Sequence, residues 1–130
     1  MGPNERPAVG FNEMEDRGLA RARRIVDLLE EKKGEDILLL DLIGKCSFTD
    51  YFVICTGASE RTLRALSDEV HQQLKQGELG MVGKVEGEAE SGWILVDYGS
   101  VVLHLFTDEV RRYYSLESLW EDGKVLVHLK

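Results

Sequence analysis

At 130 residues, of which 43% are hydrophobic and 31% charged, the chain has the composition of a single soluble globular domain with a substantial core. A formal net charge of −8 argues against a protein that binds nucleic-acid backbones, because such affinity comes from lysine and arginine neutralising phosphates. No apolar run approaches the roughly 20 residues that span a bilayer, and two cysteines without metal-like spacing indicate reduced thiols in a cytoplasm.

The N-terminal part of the chain combines a polar extension with one amphipathic helix. Residues 1–13 are predicted to be a disordered extension. A helix is predicted from Glu15 to Lys33, where apolar residues recur at helical spacing: Leu19, Ala22, Val26 and Leu29, with Ile25 beside them. Arg17, Arg21 and Arg24 fall on one side of this helix and could touch RNA, but acidic neighbours favour a solvated helix face.

Two short apolar runs predict buried strands, from Asp36 to Leu42 and from Tyr51 to Thr56. Runs of this kind, without polar alternation, are typical of strands covered on both faces in parallel or mixed sheets. A turn at residues 57–59 leads into a second helix, which Ser59 caps and which ends at Gly77. The apolar stripe of this helix is Leu63, Leu66, Val70 and Leu74.

The glycine-broken segment from Met81 to Ala89 predicts one short edge strand near Val85. If this segment is extended, Glu86, Glu88 and Glu90 share one of its faces. Such a row could hold a divalent cation, but no oxygen-rich loop spacing accompanies it. A charged edge strand that resists aggregation is the favoured interpretation.

The strongest local pattern is WILVDYGSVVLHLF, from Trp93 to Phe106, in which Gly99-Ser100 separates two strand-forming runs. It predicts a β-hairpin with a two-residue turn that sets Trp93 opposite Phe106. One face is predicted to be core: Ile94, Val96, Tyr98, Val101, Leu103 and Leu105. The other face carries Trp93, Leu95, Asp97, Val102, His104 and Phe106. This mixture of rings, a carboxylate and an imidazole is typical of a recognition surface, and a covering helix or loop is an equal alternative.

After the hairpin, Thr107 is predicted to cap a short helix that ends at Arg111-Arg112. Tyr113, Leu116 and Trp120 then share a helical face, which either clamps the sheet or extends a docking patch. Residues 123–130 alternate as a last strand would and could also be a tail. Together these elements predict an α/β fold, a single domain with a mixed β-sheet flanked by helices.

The region around the hairpin is acidic. From Glu78 to Glu109 the chain carries seven acidic residues and one lysine, a net charge of −6. An acidic surface with aromatic anchors suits a basic protein partner, because the field steers encounter and the rings supply affinity. The alternative is that the acidity serves solubility alone.

The sequence offers little catalytic chemistry. The turn at 57–59 lies where a helix N-terminus could bind phosphate, but no GxxxxGK[ST] or GxGxxG pattern accompanies it. No DxD pair occurs, and His71, His104 and His128 lack metal-like spacing. His104 could act as a general base near Asp97, but a histidine paired to a neighbour is favoured. We therefore expect no catalytic residue, cofactor or metal, and keep a nucleotide-binding enzyme that uses residues 57–59 as the alternative.

Three blocks of the sequence resemble one known family. They are SFTDYFVICTGASERTLRAL from residue 47, GWILVDYGSVVLHLF from residue 92 and RRYYSLESLW from residue 111, with Glu86-Gly87 between them. These blocks closely resemble the Iojap-like ribosomal silencing factors, and the likeness runs from about Glu15 to Glu121. It implies a domain over residues 14–122, with residues 123–130 as the C-terminal strand or tail.

The resemblance implies a nucleotidyltransferase-like fold without the catalytic carboxylates, and a cytoplasmic translational repressor rather than an enzyme. The implied partner is ribosomal protein fourteen of the large subunit, where the bound factor blocks joining of the small subunit. Direct nucleic-acid binding beyond incidental contact with ribosomal RNA is not expected. A homodimer in the free state stays open. Carried over by position, the partner-binding residues are Trp93, Asp97, His104, Phe106, Tyr114, Leu116 and Trp120.

Overall fold

Three α-helices and six strands make up the part of the chain that the structure describes. The computed structural model describes residues 9–76, 83–115, 121 and 123–130. In chain order the elements are α1 (Val9–Glu31), β1 (Glu35–Asp41), β2 (Tyr51–Gly57), α2 (Glu60–Gln76), β3 (Lys84–Glu88), β4 (Trp93–Asp97), β5 (Val101–Thr107), α3 (Asp108–Tyr114) and β6 (Lys124–Leu129). A short 3-10 helix, Ala89–Ser91, joins β3 to β4.

The strands form one six-stranded sheet in the order β3-β4-β5-β2-β1-β6. Strands β2 and β5 pair in parallel, and the other four pairings are antiparallel. The predicted mixed sheet flanked by helices is confirmed. Of the helices that the structure describes, none combines the length and the apolar character that crossing a bilayer requires.

The predicted hairpin is confirmed with its register, which sets Trp93 opposite Phe106, Leu95 opposite His104 and Asp97 opposite Val102. Gly99 opens the turn with a φ of +89°, in the left-handed region that glycine adopts without steric penalty. Tyr98 N donates to Val101 O at 2.9 Å and closes the turn. A local sequence signal therefore fixes this pairing.

The N-terminal end of the fold differs from expectation, and the C-terminal end takes one of its two predicted forms. Helix α1 begins at Val9, inside the segment 1–13 for which the sequence predicts disorder. Of the two alternatives for the C-terminal segment, the structure has the strand, since β6 pairs antiparallel with β1.

The predicted edge strand near Val85 is β3, all of whose residues are exposed.

The sheet has two unlike faces. On the back face, α1 and α2 pack over an apolar cluster that includes Leu39, Val53, Leu103 and Leu105. The front face carries Leu38, Leu40, Phe52, Ile54, Val102 and Phe106. Cys46 of the β1–β2 loop, Trp93 and Leu95 of β4 and Val110 of α3 pack against that front cluster. Among the described residues, those that cover the front face therefore belong to a loop and to the short helix α3.

Candidate protein-binding surface

A continuous row of aromatic rings crosses the front face. The row consists of Phe48, Phe52, His104, Phe106, Trp93, Tyr114 and Tyr113, and each ring centroid lies 4.5–6.3 Å from that of a neighbour. We call it the aromatic row. Such spacings are those of interacting ring pairs, so the row is a packed unit.

The two ends of the aromatic row reach solvent, whereas its middle is buried. Phe48 at one end is 63% exposed, and Tyr113 and Tyr114 at the other end are 81% and 47% exposed. His104 is only 3% exposed and Phe106 is fully buried. Large exposed rings beside an apolar cluster are typical of protein contact sites, because rings supply much contact area at low entropic cost.

Of the two alternatives for this face of the hairpin, the covered one applies to Val102, His104 and Phe106, all of which are buried. All three lie on β5, which has β4 on one side and β2 on the other. Phe52 of β2 packs edge-on against the His104 ring at 4.5 Å, and Val110 of α3 packs on the front cluster that contains Phe106. These neighbours are distant in sequence, so strand alternation alone does not show them.

His104 is paired with Trp93, as the favoured interpretation predicted. Trp93 Nε1 donates to His104 Nδ1 at 3.2 Å. Burial lowers the pKa of His104 from its ordinary value of 6.5 to about 4, so the ring is neutral at physiological pH and keeps a lone pair for the indole. The Nε2 atom of His104 is buried without a hydrogen-bond partner. The histidine thus holds the half-buried Trp93 ring in place.

The remaining predicted residues lie at different depths. Asp97 is exposed, and its carboxylate accepts a hydrogen bond from Gly99 N at 2.8 Å, so it also stabilises the hairpin turn. Tyr114 packs on Trp93 with the ring centroids 5.0 Å apart. Leu116 and Trp120 lie outside the described residues. Partner binding by each of the seven residues stays a prediction.

Two shallow cavities flank Trp93, and each has an acidic residue in its wall. One, of about 380 Å³, is lined by Ser91, Trp93, Glu109, Val110, Tyr113 and Tyr114. The other, of about 230 Å³, is lined by Glu86, Gly87, Ser91, Trp93 and Leu95. Glu86 pairs with Leu95 and Glu88 with Trp93 across β3 and β4, which places both carboxylates on the front face. Carboxylates therefore lie beside the Trp93–Tyr114–Tyr113 end of the aromatic row.

The turn at residues 57–59 borders a third cavity, of about 570 Å³, but its chemistry does not favour phosphate. Its charged lining residues are Glu60, Arg61, Glu90 and Glu109, three carboxylates against one guanidinium. Ser59 Oγ already caps α2 by accepting from Thr62 N at 3.1 Å. A Cβ at Gly57 would lie 2.7 Å from Leu63 Cδ2, so packing of α2 explains this glycine.

Other reactive groups have structural roles in the described part of the chain. Cys55 is buried, which raises the pKa of its thiol to about 12 and leaves it protonated and unreactive. Among the residues that the structure describes, no three potential metal ligands cluster. Asp41 Oδ1 accepts from Ile43 N at 2.9 Å and so caps the turn after β1.

Sequence reasoning missed two residues of this region. Phe48 has no place in the predicted site, although a phenylalanine between polar turn residues is itself a signal of a contact or packing role. For Arg111 the sequence predicts only a position at the end of α3. In the structure it is 5% exposed and lies beneath α3, where it contacts β1 and β2.

Comparisons with known proteins find one family and one fold. A family model described as "Ribosomal silencing factor during starvation" matches residues 15–129, which includes β6. A ribosomal silencing factor of Bacillus subtilis is 43% identical over 94 residues, covering 72% of this chain and 79% of that protein. A mouse protein named for mitochondrial assembly of the ribosomal large subunit is 37% identical and covers 74% of this chain and 43% of its own length. A crystal structure of a protein from Chromobacterium violaceum superimposes with a TM-score of 0.74 at 36% identity, covering 79% of this chain and 85% of that one.

Proposed function

Since the chain belongs to the family of ribosomal silencing factors that act during starvation, we propose that it represses translation by binding the large ribosomal subunit. Its partner there is the ribosomal protein numbered fourteen. The bound factor occupies space that the small subunit needs, so the two subunits cannot join. The activity is steric and takes place in the cytoplasm, and it needs no catalytic residue or cofactor.

The observation that carries this proposal is the exposed Trp93–Tyr114–Tyr113 end of the aromatic row with carboxylates around it. Ribosomal proteins that touch RNA are basic, and a basic surface is attracted to an acidic one before contact. After contact, partly buried rings act as anchors that exclude water. His104 and Phe106 support these anchors from below rather than touching the partner.

The name of the mouse relative supports a large-subunit partner, because that protein is named for assembly of the ribosomal large subunit. It is 37% identical to this chain over 99 residues, and the family model spans the same fold. Because the two proteins share this much sequence, the simplest proposal is that they bind the same type of partner.

Replacement of Trp93 by alanine tests the surface. We expect affinity for isolated large subunits to fall about thirtyfold or more, since a central aromatic anchor contributes 2 kcal/mol or more. Co-sedimentation with purified subunits measures this. Val85→Ala is the matched control: Val85 is an exposed apolar residue of β3 that pairs with Val96 of the back face. Equal binding by folded Trp93→Ala and Val85→Ala proteins would contradict the proposed surface.

Subunit joining tests the repressive step. Light scattering of mixed small and large subunits should show less association when the protein is added first, and intact ribosomes should not dissociate. The Trp93→Ala variant should lose this effect in proportion to its lost affinity. Binding to large subunits without any loss of association would refute steric exclusion.

The free protein has the same exposed rings, and we propose that a second copy covers them when no subunit is present. Exposed apolar patches of this kind are costly in water and pair readily. Analytical ultracentrifugation should then show a dimer that Tyr114→Ala weakens. A monomer at all concentrations would remove this part of the proposal and leave ribosome binding untouched.

A further inference from the structure

We propose that Arg111 is a positioning residue: buried beneath α3, it fixes this helix on the sheet and so sets the orientation of the α3 half of the binding surface. The inference deepens the proposed function and rests on it for the identity of the partner. It concerns Arg111 and the two groups it bonds, Asp36 and Thr56.

Helix α3 needs such a contact because it is short. It has seven residues, Asp108–Tyr114, and isolated helices of that length are unstable in water. Its N-cap bond, from Val110 N to Thr107 Oγ1, is long at 3.4 Å. The position of the helix therefore depends on tertiary contacts.

Arg111 is the buried residue of α3 and contacts two strands. Its Nη1 atom donates to Asp36 O of β1 at 2.6 Å and to Thr56 Oγ1 of β2 at 2.8 Å. Its Nη2 atom lies 3.8 Å from Asp36 Oδ2. A buried guanidinium with these partners has a fixed place, because moving it would leave a buried charge without hydrogen bonds.

The backbone of β1 is shaped for this contact. Asp36 has a φ of +49°, an uncommon conformation for a residue with a side chain, and the pairing of β1 with β2 shifts register between Glu35 and Leu38. The irregularity lies at the residue whose carbonyl accepts from Arg111. Backbone outliers that persist where a specific contact is made commonly serve that contact.

The network continues to the edge strand. Asp36 Oδ1 lies 2.8 Å from His128 Nε2 on β6. Burial would raise the pKa of Asp36, but the hydrogen bond with His128 and the charge of Arg111 outweigh it and hold that pKa below its ordinary value. The carboxylate is therefore charged when it faces Arg111.

The consequence for the surface is geometric. Tyr113 and Tyr114 follow Arg111 by two and three residues, and Tyr114 packs on Trp93 at 5.0 Å. Residues three positions apart are neighbours on a helix surface, so a rotation of α3 that follows loss of the Arg111 contacts would move Tyr114. Arg111 thus determines where the two exposed tyrosines stand relative to Trp93.

The neighbouring arginine supplies a matched control. Arg112 lies on the same helix but is 75% exposed, and the structure pairs it with Asp108 at 3.2 Å across one helical turn. Arg111→Met and Arg112→Met remove the same charge from α3. Thr56→Val removes one acceptor of Arg111 and leaves the sequence of α3 unchanged, so it covers the case in which Arg111→Met does not fold.

The experiment combines local hydrogen exchange with subunit binding. We expect amide exchange in residues 108–114 to become about tenfold faster in Arg111→Met and a few-fold faster in Thr56→Val, with little change in Arg112→Met. Affinity for large subunits should fall about tenfold, about threefold and less than twofold in the same order. Arg111→Lys, which keeps the charge and one donor, should recover part of both losses.

A double-mutant cycle distinguishes positioning from a general loss of stability. If Arg111 acts through α3, Arg111→Met should weaken binding less in a Tyr114→Ala background than in the native one. Multiplicative losses in folded proteins, or unchanged exchange in Thr56→Val and Arg111→Met, would overturn the inference. If the native protein binds no subunits, the proposed function fails, and the exchange data still decide whether Arg111 fixes α3.

Discussion

The two faces of the sheet differ in composition and in how they are covered. The back face is nearly all aliphatic and lies beneath two long helices, with side chains such as Leu39 and Leu103 fully buried. The front face combines aliphatic side chains with aromatic rings and contains the buried polar His104 and Arg111, and the described residues that cover it belong to the short helix α3 and a loop. The back face stabilises the fold by burying apolar surface area. On the front face, buried polar contacts hold specific side chains in fixed positions.

This division predicts the largest loss of stability on the back face. Leu103→Ala should lower the free energy of unfolding by about 3 kcal/mol, because it removes a fully buried side chain from the closely packed cluster beneath α1 and α2. Urea denaturation measures the change. The folded fraction should bind subunits normally, with Val85→Ala as the near-neutral comparison. A loss below 1 kcal/mol would mean that the back face is not the main source of stability.

The front face should show a dependence on pH that the back face lacks. The folded state holds His104 with a pKa of about 4, below its ordinary 6.5, so the unfolded chain takes up this proton at higher pH. Stability should therefore fall as pH drops from about 6.5 to about 4, by about 3 kcal/mol, and this contribution should be level below pH 4.

His104→Asn separates that contribution from the others. The amide oxygen of asparagine can accept from Trp93 Nε1 as His104 Nδ1 does. The variant should keep the indole in place but show a shallower decline of stability between pH 6.5 and pH 4 in urea melts. The same slope in native and variant proteins would place the titrating group elsewhere.

The smallest effect is expected at the acidic border of the front face. Glu86→Gln combined with Glu109→Gln should leave stability unchanged and slow association with large subunits about two- to fivefold at low salt, because exposed charges act mainly on encounter. Stopped-flow binding measures the rate. Glu30→Gln combined with Glu31→Gln removes the same number of charges from exposed positions at the end of α1 and is the control, and an equal rate loss there would show that net charge alone is responsible.

Where evidence lay within a few residues, prediction from the sequence was accurate. The hairpin register followed from Gly99-Ser100 and its flanking strands, and the caps at Ser59 and Thr107 are both present. The predicted back-face residues of the hairpin are all buried. For the candidate site, the sequence left open whether this face of the hairpin is exposed or covered, and the structure buries His104 and Phe106 but leaves Trp93 partly exposed.

By itself, the sequence determined the strands and helices and which side chains share a face, because turn chemistry and the two-residue period of a strand are local properties. Only the tertiary structure decided which of those side chains reach solvent. The parallel pairing of β5 with β2 and the placement of α3 by Arg111 join residues more than 45 positions apart. Such long-range packing buries His104 and Phe106 and leaves Trp93, Tyr113 and Tyr114 at the surface.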